Sequence, residues 1–481
     1  MTTSPVRESL HNNQNQSLLT SELTIAQEQD YSLLTDLYQL TMAACYVGEG
    51  VEQLQASFEL FARQLPKGFG YAIAMGLAQV IEYLEKFCFS PSGLAALKAT
   101  GIFENASEKF WSILAEAKFT GDVWAVPEGT AVFANEPILR VEAPLWQAQL
   151  VETYLLNTIN YQTLIATKAA RLRDVAGVEA TILEFGTRRA FSPQASLWAA
   201  RAALAGGLDA TSNVLAALKL GQQPSGTMAH ALVMALSATN GSEEQAFTAF
   251  HRYFPGASLL IDTYDTVAAA ELLAQKVNAG EMQLAGVRLD SGDLVELSQK
   301  VRSLLPNTSI FASGDLDEWE ITRLKTRDAC IDGYGVGTKL VTGAPINGVY
   351  KLVEIDGIPV MKNSKGKVTY PGRKQIWRSH QGGMVQKDEL GLVGEERSGQ
   401  PLLQLVVKQG QKVQLPDLAE IRERTAATVA SLPLECRDIS TPISCEVRIS
   451  PKLHQLQQEV EMRNEPRQRS AGAGVRRVHE V

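Results

Sequence analysis

From Tyr31 the chain settles into apolar residues at helical spacing, and "LLTDLYQLTMAACY" offers Thr35 or Asp36 as an N-cap for the helix it predicts. Residues 1–28, rich in Asn, Gln, Ser and Thr, have little to bury and read as a mobile extension. Between 119 and 143 the pattern shortens to β-rich runs punctuated by Pro-Glu-Gly and Asn-Glu-Pro, which predicts antiparallel strands; a helical region, "LWQAQLVETYLLNTINYQTLIATKAARLRDVAG", follows. From 179 to 340 short apolar strands alternate with helical patterns: "EATILEF", "ATSNVLAALKL", "PSGT", helices to Tyr253, "SLLIDTY", "TVAAAELLAQKVNAG", "AGVRLD", "DLVELSQKVRSLL", "SIFAS", "DEWEITRLKTR" and "DGYGVG". Such alternation implies parallel β/α units, in a barrel or in a doubly wound sheet, and a run this long favours the barrel. Hairpins are expected beyond 340. The expected divisions are an extension at 1–28, an N-terminal α/β domain at 29–150, an α/β barrel at 151–382, a small C-terminal segment at 383–454 and a disordered tail at 455–481.

Composition removes several classes of function. A net charge of −8 argues against a dedicated nucleic-acid surface, so any phosphate chemistry must be local. Five cysteines, Cys45, Cys88, Cys330, Cys436 and Cys445, include no C-x-x-C pair and fit neither a disulfide framework nor a zinc site. That usage suits a reducing cytoplasm. No apolar run approaches the roughly 18 residues that span a bilayer, and the polar N-terminus has no signal-peptide core.

The unusual polar residues fall at one place in each unit, just after the strand: Arg188 and Arg189, His230, Asp262 with Asp265, Arg288 with Asp290 and Ser291, Ser313-Gly314-Asp315, and Gly337-Thr338. In a parallel barrel all of these open onto the C-terminal face. "SGD" and "GVGT" suit phosphate, since glycine lets backbone N–H groups approach an anion; each alone is more often a tight turn, and their place on neighbouring strands favours phosphate. In "GVRLDSGDL", Asp290 suits sugar hydroxyls or water-bound Mg²⁺ and Arg288 a phosphate. The plainer reading pairs Arg288 with Asp290 and gives Asp293 to a helix cap. Of the adjacent arginines in "EFGTRRA", one can face a pocket and fork a carboxylate or phosphate while the other pairs with structure, and by themselves they read equally as a surface pair. His230, in "SGTMAH", by itself reads first as a packed, hydrogen-bonded histidine, and its company at the strand ends reverses that in favour of catalysis. His251, in "FHRYF", has no such company and reads as structural.

These motifs, in this order from "YSLLTDLYQLTMAACY" to "PGRKQIWR" over residues 30–380, resemble the nicotinate phosphoribosyltransferases. The resemblance implies a smaller N-terminal α/β domain, an irregular TIM-like α/β barrel of the type II phosphoribosyltransferase kind, and a homodimer with shared active sites. It implies formation of nicotinate mononucleotide and pyrophosphate from nicotinate and 5-phosphoribosyl-1-pyrophosphate, with Mg²⁺ and with ATP hydrolysis coupled through a phosphohistidine at His230. By the same resemblance Tyr38, beside Asp36 in "DLYQ", is the ring a partner subunit stacks on the pyridine, with Phe185 opposite. Arg188 lies near the carboxylate of nicotinate; Arg288 and Asp290 contact phosphate and ribose; Ser313, Gly314, Asp315, Gly337 and Thr338 form the 5-phosphate and ribose site; and Asp262 is a pocket carboxylate. Ser212 stands where nicotinamide-using relatives carry an Asp, which favours the acid over the amide. Leu208 departs from the pattern, where an aromatic is expected. Nicotinamide or quinolinate use on the same fold, and a non-catalytic nucleotide-binding barrel, are the competing readings.

Overall fold

The computed structural model describes residues 28–364 and 369–473. Apart from Glu28, the expected N-terminal extension lies outside the described residues.

Six strands form an all-parallel sheet in the order Ala210–Thr211, Thr181–Glu184, Gly333–Val336, Ser309–Ser313, Gly286–Leu289, Leu259–Leu260. That spatial order is the sequence order read cyclically, because the first strand, Thr181–Glu184, pairs with the last, Gly333–Val336. The strands are short and apolar, and residues such as Ile182, Val287, Ile310 and Val336 are buried, as expected where helices cover a parallel sheet. Several of the helices start on a side-chain cap, whereas the one that begins at His230 has none. Asn213, Asp265, Asp293 and Asp317 accept backbone N–H groups at the heads of Val214–Lys219, Thr266–Asn278, Leu294–Leu304 and Glu318–Thr326. Asp293 is therefore the cap its position in "DSGDL" predicts, and Asp265 is a cap as well.

The strand expected at "PSGT" is not formed. Pro224 has no N–H and Gly226 no side chain to pack, and the segment makes a single ladder-like bond, Ser225 N to Thr211 O at 2.9 Å. It runs on to the helix His230–Asn240.

Antiparallel strands build a second sheet of seven, in the order Ile358–Pro359, Gly348–Ile355, Gln55–Ala62, Pro137–Pro144, Asp122–Ala125, Gln404–Lys408, Gln411–Lys412. It mixes all three expected folded divisions, so the boundary at 150 does not separate two sheets. The boundary at 382/383 falls inside a hairpin, Lys374–Gln381 with Met384–Leu392, that turns at Gly382-Gly383. Local periodicity marks strands but carries no record of distant partners, and the distant pairings set these divisions. Phe58 stacks on Tyr350 across the second sheet at 4.9 Å.

The helix Glu152–Ala176 ties the sheets together. Thr167 accepts from Ile73 N at 2.8 Å, Asn160 accepts from Gly348 N at 3.1 Å, and buried Arg171 pairs with Glu318 at 2.9 Å. The expectation of a disordered tail from 455 is corrected as far as Ala473, since Pro451–Ala473 is a helix. Its Leu453 and Val460 are buried and Leu456 lies between them; the i, i+3, i+7 stripe was hidden by the low apolar content around it. Among the described residues no helix is long and apolar enough to cross a membrane.

Candidate active site

The parallel strands bring His230, Asp262, Arg288, Asp290, Ser313 and Phe185 together at their C-terminal ends. Asp262 follows the strand Leu259–Leu260. One of its carboxylate oxygens, Oδ2, accepts the Asp290 backbone N–H at 2.8 Å and the Ser291 hydroxyl at 2.7 Å. The other, Oδ1, is buried without a hydrogen-bond partner and lies 3.8 Å from His230 Nε2. His230 Nδ1 meets the Thr263 hydroxyl at 3.1 Å. The imidazole is therefore oriented by one nitrogen, and the other faces an unsatisfied carboxylate oxygen. His230 is 39% exposed, so this is no packed core histidine, and a ligand can reach it.

Arg288 is held from two sides. It donates to Met228 O at 2.6 Å and to Ser313 Oγ at 3.2 Å, while its Nε is buried without a partner. Asp290 lies 3.6 Å from it, too far for a hydrogen bond, and accepts instead from Ser313 Oγ at 2.5 Å. The simple Arg288–Asp290 pair is thus a relay through Ser313. Burial pushes the Arg288 pKa down, with the nearby Arg188 charge adding to that and Asp290 and Asp262 opposing it. The guanidinium stands 5.9 Å from the centre of the Phe185 ring, a cation–π arrangement.

Two glycines are required here by space. A Cβ on Gly335 would fall 2.5 Å from the Phe185 ring, so this glycine makes the seat of the aromatic. A Cβ on Gly314 would fall 2.3 Å from Asp290 O, and its φ of +93° is one L side chains rarely adopt. Asp315 beside it, at φ 48°, is exposed, as are Arg188 and Arg189. Gly337 and Thr338 are half-buried at the end of the last strand. Ser212 is half-buried after Ala210–Thr211, donates its backbone N–H to Glu184 O at 2.9 Å, and has Gly226 of "SGTMAH" over it.

Two predicted residues lie elsewhere. Asp36 precedes the helix Leu37–Gly48 in the N-cap position but makes no side-chain cap; its Oδ2 accepts from Thr153 at 3.2 Å. Tyr38 donates to Glu152 at 3.4 Å and is 48% exposed. Burial, then the negative charges of Glu152 and Asp36, raise its phenol pKa. Neither residue contacts the strand-end cluster of its own chain.

One residue was missed. Glu184, last in its strand and 1% exposed, receives the Thr211 hydroxyl at 2.5 Å and the Gly186 backbone N–H, so it shapes the turn that carries Arg188. Burial raises its pKa, with the Thr211 and Gly186 bonds opposing. A carboxylate ending the apolar run "TILE" was the available signal.

A parallel α/β sheet with its polar and charged residues gathered at the C-terminal strand ends defines a broad class of ligand-binding α/β proteins. Sequence comparison narrows it. Residues 33–160 match the nicotinate phosphoribosyltransferase N-terminal domain, 180–311 the nicotinate phosphoribosyltransferase family, and 373–457 the nicotinate phosphoribosyltransferase C-terminal domain. The chain is 41% identical over 464 residues to nicotinate phosphoribosyltransferase pncB2 of Mycobacterium tuberculosis, covering 93% of this chain and 98% of that one. It is 44% identical over 372 residues to the Bacillus subtilis nicotinate phosphoribosyltransferase, covering 73% and 74%. The crystal structure of human nicotinic acid phosphoribosyltransferase superposes with a TM-score of 0.79 at 30% identity, over 89% of this chain and 99% of that one. The chain belongs to the nicotinate phosphoribosyltransferase family.

Proposed function

We propose that this protein joins nicotinate to 5-phosphoribosyl-1-pyrophosphate, releasing pyrophosphate and nicotinate mononucleotide for NAD salvage in the cytoplasm, and that ATP hydrolysis drives the reaction through His230. The relatives named above support the reaction. The single observation that carries the role of His230 is the imidazole whose Nδ1 meets Thr263 and whose Nε2 faces the unpartnered Asp262 Oδ1. In this reading Nε2 attacks the γ-phosphorus of ATP, the bond to the β-phosphate oxygen breaks, and ADP leaves. The phosphohistidine then places negative charge beside Asp262 and Arg288, changing the local field in which pyrophosphate is bound.

At the sugar, the C1–pyrophosphate bond breaks as the pyridine nitrogen bonds to C1, through an oxocarbenium-like state. Positioning and charge stabilisation suffice for this, with no protein nucleophile on the sugar. Arg288 and the glycine turns at 314 and 337 hold phosphate oxygens, Asp290 faces the ribose with the buried carboxylate of Asp262 bracing its backbone N–H, Arg188 draws the nicotinate carboxylate, and Phe185 stacks on the ring. Ser212 leaves room for an acid where an aspartate would repel it. Among the described residues no three His, Cys, Asp or Glu side chains gather into a metal site. Asp290, whose side chain is partly exposed, would fit Mg²⁺ carried in on the substrate phosphates and reached through water. Held there, the ion would neutralise phosphate charge.

Cyclic strand order, with only the edge strands Ala210–Thr211 and Leu259–Leu260 unpaired to each other, supports an irregular α/β barrel with a seam that residues 225–230 occupy. Exposed Tyr38, remote from its own chain's cluster, supports a homodimer in which it completes the partner's pyridine site.

The test is mononucleotide formation from 5-phosphoribosyl-1-pyrophosphate and Mg²⁺ with nicotinate, nicotinamide or quinolinate, each with and without ATP, in wild type and His230→Ala. ATP-stimulated product from nicotinate alone, with stimulation lost in the variant, is expected. Product from another pyridine would overturn the Arg188 and Ser212 assignments. An unaltered His230→Ala would end the phosphohistidine reading, and no product in any arm would leave a nucleotide-binding barrel.

A further inference from the structure

Sharing no residue with the strand-end cluster, the strand Lys374–Gln381, the helix Leu418–Ala430 and the turn at 127–130 enclose a concavity of about 320 Å³. Its wall carries the guanidinium groups of Arg378 and Arg424 and the imidazole of His380, and no aspartate or glutamate. The two arginines differ. Arg378 is buried and forks onto Asp388 at 2.9 and 2.6 Å, so its charge is matched. Arg424 has no carboxylate partner among the described residues. One of its N–H groups donates to the backbone oxygen of Glu128 at 2.7 Å, which fixes the side chain at the cavity wall. Exposed His380, the amides of Gln400 and Gln404 and the hydroxyl of Thr428 add donors around it.

A fixed guanidinium with an unmatched charge, in a concavity without acids, is the arrangement that recognises phosphate oxygens. The volume lies at the lower end of small-molecule clefts, roughly 300–1,000 Å³, which suits a phosphorylated small molecule. We propose that this concavity is a second anion site, separate from the strand ends, that takes a phosphate monoester through Arg424 and His380.

Glu128 gives the site mechanical weight. Its carboxylate accepts the Gly76 and Leu77 backbone N–H groups at 2.7 and 2.9 Å and forks onto Arg201 at 2.9 and 2.7 Å, so a ligand on Arg424 bears on a rigid junction between the N-terminal domain and the helix Pro193–Ala205.

The experiment is calorimetric titration of the full chain with orthophosphate and, separately, adenosine 5′-monophosphate. It is run in wild type and in an Arg288→Gln background that weakens anion binding at the strand ends. Expected is a binding event that survives Arg288→Gln and that Arg424→Gln weakens about tenfold or more in either background, with His380→Asn weakening it less. Tighter binding of the nucleotide than of orthophosphate marks a nucleotide site and equal binding a phosphate site; both support the proposal. Binding that Arg424→Gln and His380→Asn leave unchanged overturns it, as does the absence of any event once Arg288 is replaced. Should Arg424→Gln fail to fold, His380→Asn, at an exposed strand end, carries the same comparison.

Discussion

At position 314 the backbone leaves space for a hydrogen and nothing more. Gly314→Ala must move either its own turn or Asp290, and with φ at +93° it is expected to cost about 1–3 kcal/mol. The larger effect falls on the site. Displacing Asp290 breaks its bond from Ser313 and so frees one side of Arg288, and kcat/KM for mononucleotide formation is expected to fall on the order of a hundredfold. Urea unfolding and steady-state kinetics check both, and a variant as active as wild type would show that Asp290 is not held by this turn. Much at this scale was legible in the sequence, because chemistry-bearing residues just after strands must share one face. What was not legible is which acid does what. Asp262 and Asp265 stand three residues apart in one loop, yet Asp265 spends its carboxylate on the Val267 and Ala268 N–H groups, while Asp262 keeps one oxygen unpaired. Glu184 was overlooked because a strand-end glutamate looks solvent-facing until the Thr211 hydroxyl and the Gly186 N–H are found on it.

Among the elements, the helix Pro193–Ala205 depends on one buried ion pair. Arg201 forks onto Glu128, whose remaining capacity is filled by Gly76 and Leu77. Burial works to raise the Glu128 pKa, but Arg201 and the two backbone N–H groups outweigh it and the net shift is downward. A carboxyl whose folded pKa lies below its unfolded value of 4.5 adds stability that is present above pH 4.5 and lost as the pH falls through the lower folded value. Arg201→Met removes the cation and leaves burial dominant. The variant is expected to lose about 3–5 kcal/mol at neutral pH. Its Glu128 pKa should then lie above the unfolded value, so this group's contribution should fall as pH rises from 4.5, the reverse of wild type. Thermal melts of both proteins between pH 3 and pH 8 check the sign, and parallel curves would show that the pair does not set the pKa. No periodicity reveals such a pair: Glu128 was read only as part of a Pro-Glu-Gly turn, and the stretch that carries Arg201 drew no reading at all. The helices themselves were legible because caps and stripes are local, as Asp293 shows. The non-strand at "PSGT" was misjudged because a short run between helices looks like a strand until its pairing is counted.

The whole molecule was the least legible scale. Its second sheet takes strands from 55–62, 122–144, 348–359 and 404–412, and no local signal announces that partnership. The proposed homodimer belongs to this scale too, and it has a direct test. Tyr38→Ala and Arg188→Ala should each abolish activity alone, and an unfolded and refolded mixture should recover part of it, because one mixed-dimer site in which neither change falls is intact. No recovery would mean that Tyr38 serves its own chain or none. The closing of the parallel sheet has a consequence in time. Phe185 leaves the first strand and Gly335, which makes its seat, lies in the last, so the aromatic floor of the site exists only after nearly the whole parallel sheet has been synthesised and joined end to start. A nascent or truncated chain can own the histidine, the arginines and most of the carboxylates and still have no seat for the Phe185 ring, so the complete floor comes last.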